Sequence, residues 1–110
     1  MGRSWTYGYG QPGQWSAIQG EEWSFHFNRA RAYGEQGQWA RAVAGYRDAQ
    51  RLFSDDYATE FNLAKALQQR GDLQAAIEGF ERAIVLAPDQ ADFHLSHGLA
   101  LESAGQPRGG

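Results

Sequence analysis

The residues whose chemistry comes first are three histidines and two pairs of adjacent carboxylates. His94 and His97 lie three apart, a spacing that places both on one face of a helix. Two imidazoles do not make a metal centre. A third ligand and an outer shell that orients the rings are also required. His26 precedes His94 by twice an interval of 34 that recurs along the chain. These two histidines therefore read as one repeated structural position, and no metal site is expected. Glu21-Glu22 and Asp55-Asp56 fall at expected helix starts, where the helix dipole accounts for negative charge without catalysis. No glycine-rich loop follows a strand to cradle a phosphate, and no Ser/His/Asp arrangement has support. The chain has no cysteine, which excludes a disulfide scaffold and a thiolate metal site but leaves the redox compartment open. Neither an enzymatic activity nor a cofactor is expected from these residues.

The elements that position them announce themselves through glycine. Gly37, Gly71 and Gly105 are evenly spaced at that same interval, each where a tight helix-to-helix turn needs one residue at positive φ. Segments 23–56 and 57–90 align without gaps and share ten identical positions, among them Phe27/Phe61, Asn28/Asn62, Ala30/Ala64, Gly45/Gly79 and Ala49/Ala83. Conservative pairs include Tyr46/Phe80, Val43/Ile77, Trp39/Leu73 and Arg31/Lys65. A third copy begins over 91–105, with Leu95, Gly98, Ala100 and Leu101 in register. A fixed period of this size means stacked supersecondary units.

Each unit reads as two helices. The first is expected over 22–36, 56–70 and 90–104, the second over 38–53 and 72–86. Leu63, Ala64 and Leu67, then Ala76, Ile77, Phe80, Ala83 and Ile84, recur at helical spacing. Asp72 is placed to cap the helix after Gly71, Asp56 and Asp89 suit helix N-termini, and Pro88 closes the second unit. Ala30, Ala42 and Ala49 let helices approach closely, while Tyr33, Trp39, Tyr46, Leu67, Leu73 and Phe80 fill the spaces between.

The 34-residue period with Leu63, Ala64, Leu67, Gly71, Leu73, Ala76, Phe80, Ala83 and Pro88 resembles the tetratricopeptide repeat. Ala30, Tyr33, Gly37, Trp39, Ala42, Tyr46 and Ala49 carry the likeness in the preceding copy. The departures are Arg29 and His97, where the family usually has leucine, and Ser54, where it has proline. The resemblance implies an all-α helix-turn-helix solenoid of two and a half repeats and five helices over 21–105. It also implies a protein-binding scaffold whose first helices line a concave face. By register that face carries Phe27, Asn28, Arg31, Phe61, Asn62, Lys65, Leu95 and Leu99. Phe27, Phe61 and Leu95 recur once per period, with the basic pair Arg31 and Lys65 beside them. Asparagine offers a donor and an acceptor to a peptide backbone. The expected partner is a protein or peptide with apolar side chains and an acidic group. An equally weighted reading has Phe27 and Phe61 packed between helices and the basic pair solvated. Some relatives of this kind clamp a chaperone's C-terminal carboxylate with two lysines, two asparagines and an arginine. Here only Asn62 matches, Phe27, Arg31, Asp92 and Ser96 take the other places, and Asp92 repels a carboxylate.

The rest of the 110 residues adds boundaries. Ten basic and thirteen acidic residues give a net charge of −3, which argues against phosphate-backbone binding. Apolar runs are too short to span a membrane. Met1 to Gly10 contains no apolar core of a secretory signal, so a cytoplasmic location is the default. Met1-Gly2 with Thr6 fits a loose myristoylation pattern, with an ordinary start as the alternative. Trp5, Tyr7 and Tyr9 alternate before Gln11-Pro12-Gly13-Gln14, which fits a disordered arm or a marginal hairpin over 1–20. Residues 106–110 read as a flexible tail. The last helix, with Phe93, Leu95, Leu99 and Leu101, calls for cover from a partner, a second copy or further sequence. Self-association through that helix, or service as the repeat portion of a larger and enzymatic protein, is the alternative function.

Overall fold

A computed structural model describes residues 14–105, and within them five helices run in sequence. They are α1 (Gln14–Glu35), α2 (Trp39–Leu52), α3 (Tyr57–Arg70), α4 (Leu73–Leu86) and α5 (Ala91–Ser103). Each packs on its sequence neighbour, α1 on α2, α2 on α3, α3 on α4 and α4 on α5. This is an all-α solenoid of helix-turn-helix units with the expected number of helices.

The turns follow the glycine spacing. Gly37, Gly71 and Gly105 have φ of 77°, 100° and 80°, the left-handed region that side chains with a Cβ avoid. At the α3 end, the Asp72 amide donates to the Leu67 carbonyl at 2.9 Å and the Gly71 amide to the Gln68 carbonyl at 3.1 Å. These bonds satisfy carbonyls the helix would otherwise leave open.

Packing inside each unit depends on small residues. A methyl added to Gly79 would sit 2.9 Å from Ala64 Cβ, and one added to Gly45 would sit 2.9 Å from Ala30 Cβ. So α3 and α4, like α1 and α2, touch almost backbone to backbone at equivalent points. Leu63, Leu67 and Phe80 fill the core around those contacts at 2% exposure or less. Tyr33 and Trp39 pack against it while half-buried.

Three expectations need correction. Helix α1 begins at Gln14, well before the expected Glu22. Gly20 alone does not break the helix. Residues 14–20 of the expected arm are therefore helical, and Glu21-Glu22 lie in mid-helix instead of at its start. The aromatic arm before Gln14, with its marginal hairpin and its modification pattern, lies outside the described residues, as does the 106–110 tail. Asp72 occupies the N-cap of α4 but makes no capping bond; its carboxylate instead accepts from Arg70 Nε at 2.8 Å. Finally, Phe93 on α5 is not open. It is 5% exposed, stacked on Phe61 with ring centroids 4.4 Å apart. Asp56 meets its expectation, accepting from the Thr59 amide at 2.8 Å.

Candidate functional site

The first helices of successive units carry equivalent side chains onto one face. Arg31 on α1 and Lys65 on α3, one period apart, line a single recess of ≈ 330 Å³ together with Asn62, Gln69, Tyr46 and Glu35. Both cations are exposed. Lys65 Nζ lies 5.3 Å from the centroid of the Phe61 ring, a cation–π contact that holds the ammonium at the recess edge. Asn62 spends one amide N–H on the Ala58 carbonyl at 2.8 Å. Its side-chain carbonyl and second N–H stay available. At the floor, burial pushes the Tyr46 hydroxyl from 10.0 to about 12, with Arg31 working against that rise and Glu35 adding to it. Tyr46 is thus a neutral hydroxyl beneath two cations and one carboxylate.

The apolar members of the expected face divide. Phe27 stacks on Trp23 at 4.9 Å and meets Tyr46 edge-on at 5.5 Å. Phe61 is held between Phe80 and Phe93 at 5.7 and 4.4 Å. Both rings are half-buried and belong to interhelical packing. Leu95 and Leu99 are open, 58% and 48% exposed. Leu99 continues the register of Arg31 and Lys65 onto α5. Asn28 is exposed but does not line the recess.

Sequence reasoning missed Trp23, Gln50, Thr59 and Glu60. Thr59 is fully buried and Glu60 is 2% exposed. Trp23 Nε1 donates to Thr59 Oγ1 at 3.0 Å, and that hydroxyl donates to Asp56 at 2.7 Å. Glu60 accepts from Gln50 at 2.8 Å and from Arg82 at 3.0 Å. The bonds of Trp23 and Gln50 tie the first unit to the second. A signal for the ion pair existed in the period. His26 and Asp48, one period before Glu60 and Arg82, form the equivalent contact at 3.9 Å with acid and base exchanged.

The histidines diverge. His94 Nε2 lies 2.8 Å from the Pro88 carbonyl, while His97 Nε2 lies 3.3 Å from Glu81. Among the described residues, no group of three or more His, Cys, Asp or Glu side chains is placed to hold a metal ion. None of the described helices is long and apolar enough to cross a membrane. A family model described as tetratricopeptide repeat matches residues 27–91 and, one period later, 61–107. A comparison with curated proteins returns no match.

Proposed function

The chain belongs to the tetratricopeptide repeat family, and from that premise we propose that it binds a partner's peptide or helix along the face formed by α1, α3 and α5. Domains of this family are in general protein-interaction modules. The observation that carries the assignment is the shared recess: Arg31, Asn62 and Lys65 open into one space, and exposed Leu99 extends their register onto α5. Two cations suit an acidic group on the ligand, and Leu95 and Leu99 suit apolar side chains beside it. The asparagine positions a ligand backbone, as Asn62 retains both a donor and an acceptor. Phe27 and Phe61 support the face from beneath.

This division decides the test. Phe61→Ala would open the packing around Phe80 and Phe93, so a lost interaction would report unfolding. Lys65→Glu with Leu99→Glu changes only exposed side chains. Quantified affinity capture with wild type and this double variant should lose the specific partners of the wild type while the melting temperature holds. Equal recovery of every partner by the two proteins would refute the groove.

A further inference from the structure

The two complete units present opposite charge at equivalent places on their second helices. On α2 the outward stripe is Ala44, Arg47 and Arg51; one period later on α4 it is Glu78, Glu81 and Val85. All six are exposed, Val85 at 79%. Spacings of three and four keep each stripe on one face of its helix. Arg47 and Glu78 have no ion-pair or hydrogen-bond partner among the described residues. Arg51 pairs with Asp48, and Glu81 reaches only His97. Among the described residues, no ion pair joins the two stripes within the chain. Beside the α4 stripe lies an open recess of ≈ 470 Å³ where Val85 and Leu86 meet Asp55, Glu78 and Glu81. It is an apolar surface rimmed by carboxylates, with one cation, Arg82, that is already paired with Glu60, on a helix that does not belong to the α1–α3–α5 face.

We infer that this surface binds a second copy of the chain, the α4 stripe of one copy receiving the α2 stripe of the other. The occupant follows from charge complementarity. The α2 stripe offers arginines to the carboxylates, and the apolar stem of Arg51 can lie over Val85. Arginine is suited to such a contact because its fork pairs with carboxylates in two places at once. Every copy carries both stripes, so a two-fold pair forms the contact twice and closes. The surface is distinct from the open leucines of α5.

The test is sedimentation velocity of the full chain across a concentration series, at low and high salt. The expected result is a mass above the monomer's 12.2 kDa that grows with concentration and falls with salt, as exposed charge pairs are screened. Arg47→Glu and Glu78→Arg should each raise the dissociation constant by about tenfold or more, since each sets like charges opposite one another. Mixed in equal amounts, these two variants should form a complex again, because each then supplies the charge the other lacks. Leu99→Glu should leave the mass unchanged. Helical content by circular dichroism should be the same throughout, as neither charged residue has a partner in the fold. A 12.2 kDa species at every concentration, or a mixture no heavier than its separate components, would overturn the inference.

Discussion

Tyr46 shows how one residue serves both the core and the site. It is 4% exposed, packed on Phe27, and lines the recess that Arg31 and Lys65 share. Burial raises its folded-state value from 10.0 to about 12. A group whose value rises on folding contributes stability that is complete below the unfolded value and is lost as pH climbs through the folded one. Stability should therefore fall between pH 10 and 12, and Tyr46→Phe should flatten that decline in urea melts across the window. An equally steep decline in Tyr46→Phe would show that the hydroxyl does not titrate against folding. The aromatic place of Tyr46 was legible from its partner Phe80. The burial of Glu60 was not, because a glutamate in a helix reads as solvated until Arg82 and Gln50 are known to converge on it. Phe27 and Phe61 were legible as a repeated pair, but spacing alone did not separate lining a groove from packing beneath it. The rings that separate them are Trp23, one helical turn before Phe27, and Phe93, from α5.

At the scale of the helix, the two aspartates that precede α3 and α4 make an instructive pair. Asp56 accepts from the Thr59 amide and from its hydroxyl, which in turn receives the Trp23 indole. Asp72 holds the equivalent place relative to its helix but turns to Arg70. Asp56→Ala should cost about 1 kcal/mol or more, the usual worth of an N-cap, and leaves the buried Thr59 hydroxyl without its acceptor. Asp72→Ala should cost no more than a few tenths, the usual worth of an exposed ion pair. Chemical denaturation of both variants measures the contrast, and equal losses would contradict it. The ends of α2 to α5 could be read to within a single position because glycine or proline punctuates most of them and the period places the α2–α3 junction. The start of α1 could not, since a repeat-based boundary drew attention to Trp23 while the helix already runs from Gln14.

For the whole molecule, the period explains most of the architecture. Gly71 and its equivalents set the turns, Ala64 with Gly79 sets the distance between helices, and identical neighbours stack in the same way each time. Where the copies differ, the period no longer determines structure, and those places are the informative ones. Lys65 becomes Leu99 on α5, Arg47 becomes Glu81 on α4, and His26 with Asp48 becomes Glu60 with Arg82. The first change gives the proposed groove a basic stretch followed by an apolar one. The second gives the outer helices opposite charge. The central claim is that the α1–α3–α5 face recognises an acidic, apolar segment, and its most direct measurement is selection from a randomised displayed peptide library. The full chain is the bait, and each selected peptide is then measured on wild type and on Arg31→Glu with Lys65→Glu. Selected peptides should carry aspartate or glutamate beside apolar residues and bind wild type about tenfold or more tightly than the double variant. Peptides without an acidic preference, or with equal affinity for both proteins, would contradict the account.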